Sequence, residues 1–128
     1  MAPLFLTLDE VVAIHRDQVE RYGGDPGIRD IELLKSAVAM PTAGFGGDYL
    51  HTDIFEMAAA YLFHIIRNHP FVDGNKRTGA VAALVFLMMN GVELHATEDK
   101  LEAMVRSVAE GKTDKTRVAS FFRKHGGE

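Results

Sequence analysis

The sequence contains no cysteine. That single absence excludes a disulfide scaffold, a thiolate metal site and a cysteine nucleophile, and it fits a reducing compartment. A basic excess is missing too. There are 14 Lys and Arg against 18 Asp and Glu, giving a formal net charge of −4 and a pI near 5.8. Proteins that coat nucleic acid draw affinity from neutralised phosphates, so direct nucleic-acid binding is not expected. Long apolar runs are absent as well. The longest, Ala80 to Met89, is too short to cross a bilayer, and the opening Met-Ala-Pro-Leu-Phe-Leu-Thr lacks the positive segment of a secretory signal. Linkers, low-complexity tracts and internal repeats do not occur. What remains is 128 residues, 47% hydrophobic and 25% charged, an ordinary globular mix. A chain of this size buries about two-thirds of its unfolded surface, enough for a real core. The expectation is one cytoplasmic domain over residues 1–128 with no membrane contact.

Almost every segment reads as helix. Thr7 and Glu10 form a capping box ahead of Leu8, Val11, Val12, Val19 and Tyr22, a helical stripe that Gly23 ends. His15 falls on that stripe and reads as a hydrogen-bonded, partly buried residue. A second helix is expected from Asp30 to Ala39, closed by Pro41. Asp53 and Glu56 offer a capping pair for a third helix reaching Asn68, apolar on two sides and therefore covered on two sides. A fourth begins near Asn75, carries the Ala80–Met89 run and closes at Asn90-Gly91. Met88 and Met89 read as core filler. Two amphipathic helices follow, Glu98 to Ala109 and Asp114 to Lys124, with Thr97 and Thr113 as N-caps. Only Gly91 to His95 suggests extended chain. The glycine-rich stretch Thr42 to Leu50 reads as a loop, and His51 beside it as a surface residue. The fold class expected is all-α: a compact bundle of about six or seven helices around two central hydrophobic ones.

The connection between the two central helices holds the chemistry: Arg67-Asn-His69-Pro-Phe71-Val-Asp73-Gly74-Asn75-Lys76-Arg77. Pro70 steers His69 out of helical geometry, so a helix ends there and another starts near Asn75. The first turn of that helix exposes unpaired N–H groups and the positive end of the macrodipole, which suits a phosphate. Gly74 permits close backbone approach, Lys76 and Arg77 add cationic donors, and Phe71 anchors the loop in the core. Asp73 offers oxygen to Mg²⁺. His69, with an unperturbed pKa of about 6.5, suits removal of a proton from an attacking hydroxyl. Together these groups match phosphoryl or nucleotidyl transfer.

Common alternatives fail. Gly74 and Gly79 have the spacing of a Walker loop, but Ala80-Val81 stands where Lys-Ser/Thr is required. A calcium loop would need a glutamate at Leu84. His64 and His69 are wrongly spaced for a zinc helix, and no HExxH is present.

The run from His69 to Arg77 resembles the signature of the Fic/Doc family, HxFx(D/E)(G/A)NxR, and fills every fixed position. The resemblance extends from about Leu4 to Lys124. Leu8–Tyr22, Gly27–Pro41 and Val105–Lys112 also resemble the death-on-curing branch, whose members are compact and helical. It implies His69 as catalytic base, Asp73 at the metal and phosphates, and Gly74, Asn75 and Arg77 on the nucleotide. The Gly44–Leu50 loop would be the flap beside the target. Common Fic enzymes transfer AMP from ATP to a protein hydroxyl. They have glycine where this chain has Lys76, and arginine where it has Ala80. Both departures, and Arg67, match death-on-curing toxins, which reverse the nucleotide and transfer its γ-phosphate.

The resemblance thus implies an ATP- and Mg²⁺-dependent protein Ser/Thr kinase. It would be the toxin of a toxin–antitoxin pair, acting on elongation factor Tu to block translation. A Phd-type antitoxin would restrain it in trans. Self-restrained relatives carry S/T-x-x-x-E-G/N, whereas here Met57 follows Thr52 and Glu56, and Ser107 and Glu110 are one residue too close. AMP transfer is the runner-up activity, and a catalytically idle binding module the reading from another class.

Overall fold

A computed structural model describes residues 2–127. Its elements are α1 (Leu8–Tyr22), α2 (Ile31–Ala39), a 3₁₀ turn (Met40–Thr42), β1 (Gly44–Phe45), β2 (Asp48–Tyr49), α3 (Ile54–Asn68), α4 (Asn75–Met89), α5 (Glu98–Ala109) and α6 (Lys115–Gly126). The all-α reading holds. α3 is the hub, packing against α4, α6 and α2. Met57 to Leu62, Ile65 and Ile66 are all buried along it, as its two apolar stripes require. α4 lies alongside. A Cβ on Gly79 would stand 3.0 Å from an Ile66 side-chain carbon and 3.1 Å from the Leu62 carbonyl, so glycine there lets the two helices close up.

The helix starts follow their caps. Thr7 Oγ1 accepts the Glu10 N–H at 3.2 Å while the Glu10 carboxylate accepts the Thr7 N–H at 2.9 Å, the reciprocal box expected for α1. Asp53 accepts the Glu56 N–H at 2.8 Å. The Glu56 carboxylate reaches back one residue further, accepting from the Thr52 N–H and hydroxyl at 3.2 and 3.0 Å. Thr97 caps α5 as expected. α6 is capped by Asp114 instead of Thr113, because the Thr113 hydroxyl is engaged by Ser107 at 2.6 Å.

Four other expectations change. The stretch after the 3₁₀ turn is a two-stranded antiparallel hairpin, Gly44 opposite Tyr49 and Phe45 opposite Asp48. Gly46 and Gly47 both have positive φ, as a type I′ turn demands. Gly91 to His95 forms no strand. Met88 is 67% exposed and not core filler. His51 is buried, turned in towards Glu56 and Lys115.

Candidate active site

α3 ends on His69, whose backbone is left-handed at φ 51° and ψ 51°. It is the only non-glycine with positive φ among the described residues. Such a conformation costs about 1–3 kcal/mol and persists only where its surroundings impose it. Pro70 alone predicts extended geometry. The further constraint is Arg29, whose Nε donates to the His69 carbonyl at 2.6 Å and whose Nη2 donates to the Asn68 carbonyl at 3.0 Å. The Arg29 and Asp30 N–H groups both donate to the Pro70 carbonyl, at 2.7 and 3.0 Å. The exposed end of α3 is therefore clamped from the start of α2, with the His69 ring outside the clamp.

The following turn is gripped from within. Phe71 is fully buried, and its N–H donates to Asn75 Oδ1 at 3.0 Å while its carbonyl accepts from Asn75 Nδ2 at 2.9 Å. The Asn75 carboxamide thus spans the loop and closes it. His15 of α1 stacks on Phe71 with ring centres 3.7 Å apart and planes 6° from parallel. Its Nε2–H donates to the Asp73 carbonyl at 2.8 Å. Burial lowers the His15 pKa; the Asp73 carbonyl pushes the other way, while Arg77 and Arg16 lower it further. A carbonyl can only accept, so the proton of this bond lies on His15 Nε2.

The turn after α1 holds the charged residues. Asp25 N–H donates to Asp73 Oδ2 at 2.8 Å. Gly24, at φ 119°, lies where a Cβ would be 3.1 Å from that of Asp73. Arg77 Nη2 donates to the Gly23 carbonyl at 2.9 Å, and its guanidinium carbon lies 5.5 Å from the centre of the Tyr22 ring.

α4 starts differently from the other α-helices. Each of those has a side-chain oxygen on its first turn. α4 starts at Gly74, in left-handed geometry, with no side-chain cap and no acidic residue in its first turn. It carries Lys76 and Arg77 there instead, like charges at the positive end of the macrodipole. His69, Asp73, Gly74, Asn75, Lys76 and Arg77 all line one cleft of about 680 Å³, within the range that holds a nucleotide-sized ligand.

Arg67 is the exception. Its guanidinium donates to the Val108 and Ala109 carbonyls at 3.4 and 3.2 Å, where the negative end of α5 favours a cation. It lines a separate depression with Lys112 and Arg117. The hairpin residues lie off the cleft as well. Asp73 is the one carboxylate lining the cleft, and no group of three or more acidic or histidine side chains suits a metal among the described residues. A single carboxylate still fits Mg²⁺, which binds through one or two carboxylates and completes its shell with phosphate and water.

A model of the Fic/DOC family matches residues 5–87. The chain belongs to that family. It is 34% identical over 116 residues to "Protein kinase doc" of Escherichia phage P1, covering 91% of this chain and 90% of that protein. It is 41% identical over 101 residues to "Toxin Doc" of Mycolicibacterium smegmatis, covering 77% and 78%. The Fic/DOC match explains the legible motif; the residues that hold the motif in place lie elsewhere. Tyr22, Asp25 and Arg29 had no local signal for these places, since each is recruited by packing; His15 is buried and hydrogen-bonded as its stripe predicts, but the stripe does not say which carbonyl it meets.

Proposed function

We propose that this chain transfers the γ-phosphate of ATP to a hydroxyl of a protein and acts as the toxin of a toxin–antitoxin pair. The observation carrying the reading is the uncapped, cation-bearing start of α4 facing the cleft that also holds His69 and Asp73. The relatives named as a protein kinase and as a toxin agree with it. In this scheme the free N–H groups of the first turn, Lys76 and Arg77 hold the phosphates and stabilise charge as it spreads over the transferred group. His69 takes the proton of the attacking hydroxyl. The new bond joins that oxygen to the γ-phosphorus, the bond to the β-phosphate oxygen breaks, and ADP leaves. Asp73 would hold Mg²⁺, which neutralises phosphate charge when bound. Asn75 serves by closing the loop, and Arg67 would join the phosphates only after leaving α5.

Lys76 and Ala80 select kinase over AMP transfer. Lys76 projects an ammonium where glycine would leave room for phosphate, and Ala80 lacks the guanidinium that would hold the outer phosphates. The proposed target is elongation factor Tu, and the proposed inhibitor a Phd-type antitoxin supplied in trans.

Incubation with elongation factor Tu and ATP labelled at either the γ- or the α-phosphate tests the reaction. Label entering protein from the γ-position only is expected. Incorporation from α-labelled ATP would establish AMP transfer instead, and no incorporation from either would leave a binding module. His69→Ala is expected to lower transfer by at least a hundredfold, given the usual contribution of about 10²–10⁴ from a positioned base. It should also abolish toxicity on expression.

A further inference from the structure

We propose that Tyr22 is the platform on which the base of the nucleotide stacks. The inference rests on the nucleotide reading above and extends it to the part of the ligand that the motif does not address. Sequence periodicity puts Tyr22 on the buried stripe of α1, yet its side chain leaves the core: the residue is 64% exposed and lines the cleft. A large aromatic at the last position of a helix, turned from the core into a cleft, gains nothing from burial where it stands. It is also held. Gly23 ends α1 with its N–H on the Val19 carbonyl at 2.8 Å, and Arg77 ties the Gly23 carbonyl at 2.9 Å while its guanidinium covers the Tyr22 ring.

A cation over one aromatic face fixes the ring through its quadrupole and leaves the other face for a second planar group. Because the fixing cation is Arg77, the platform and the phosphate site share a residue, so base and phosphates are placed in register by one side chain. The rest of the cleft is built for phosphate, from the α4 start, Lys76 and Arg77. Its remaining apolar lining, Ile66, Val72 and Ala109, includes no second aromatic ring. Tyr22 is therefore the surface in the cleft that suits a flat heterocycle.

Calorimetric titration of the full chain with ATP and, separately, with inorganic tripolyphosphate tests this. Tyr22→Ala is expected to weaken ATP about tenfold, in the range typical of one base–aromatic stack, and to leave tripolyphosphate affinity within twofold. Tyr22→Phe should restore ATP affinity. Because the chain has no tryptophan, Tyr22→Trp adds one fluorophore, which ATP should quench and tripolyphosphate should not. Unchanged ATP affinity in Tyr22→Ala, or an equal loss for both ligands, overturns the base platform while leaving the phosphate site in place. Failure of the wild-type chain to bind either ligand overturns the nucleotide reading itself.

Discussion

The two ends of α3 both carry exposed segments, and they are built in opposite ways. After its C-terminus, the loop from His69 to Gly74 is held by α1, α2 and α4 at once: Arg29 on its carbonyls, Asn75 and His15 inside it, Asp25 on Asp73. Before its N-terminus, the hairpin consists of two residue pairs, all of them exposed. The Leu50 N–H on the Ala43 carbonyl at 2.8 Å closes the base of the hairpin on itself, and Tyr49 meets Phe5 of the body with ring centres 5.6 Å apart. A site that holds charge in transition needs groups that do not reorganise. A segment that adapts to a protein target tolerates the reverse. On the proposed function, the contrast puts chemistry at the first end and recognition at the second, a division the following variants test.

The largest expected effect tests the rigid end. Asn75→Ala strands the buried N–H and carbonyl of Phe71, each of which costs about 1–3 kcal/mol when unpaired. A loss of about 2–6 kcal/mol in urea unfolding is expected on that arithmetic, with loss of transfer activity. A variant that keeps wild-type stability would show that the loop is held by packing alone.

Acid should separate the contact between α3 and α6 from the loop after α3. At the α3–α6 contact His64 Nε2 meets Lys115 Nζ at 3.1 Å. Burial, then Lys115 and His51, push the His64 pKa down to about 4. His51 is lowered too, by burial first and then Lys115, against an opposing pull from Glu56. Unfolded histidine takes up its proton near pH 6.5, whereas folded His64 waits until about pH 4. The unfolded state binds more protons in between. Stability is therefore complete above about pH 6.5 and is lost as pH falls towards 4. His15 is lowered as well, by burial first, but its hydrogen bond to the Asp73 carbonyl opposes the shift. Urea midpoints between pH 7 and pH 5 should consequently flatten more in His64→Gln than in His15→Gln. The reverse ranking would move the acid-sensitive contact to the loop after α3.

How much of this was legible follows from the range of each interaction. Capping residues act within four positions, so α1, α3 and α5 start where their sequence predicts. The motif's nine consecutive residues give the helix break, the following helix start and the candidate chemistry for the same reason. What periodicity reports is which side of a helix is apolar, not which neighbour covers it. It therefore misplaced Met88 and Tyr22, whose environments depend on where other helices end, while His51, read as surface because it adjoins the loop, is buried beside Glu56 and Lys115. The partners in the grip on the loop were illegible, even for His15, whose hydrogen-bonded burial was expected: Arg29, Asp25 and His15 act on residues 40, 48 and 58 positions away. The hairpin was read as a loop because its strands are too short to show alternation.

The smallest expected effect on the fold belongs to that hairpin. Phe45 is 94% exposed, so Phe45→Ala removes almost no buried surface, and a change within about 0.5 kcal/mol is expected from such a surface position. Its effect should appear only with the protein target: a raised KM for that substrate, with ATP affinity unchanged. Gly44→Ala makes the complementary break, because a Cβ there would stand 2.2 Å from the Asp48 carbonyl oxygen and the strands must part. If the hairpin recognises the target, both variants fold normally and modify it poorly. Normal target modification in both would place recognition elsewhere, and the two ends of α3 would then differ in rigidity without dividing the work.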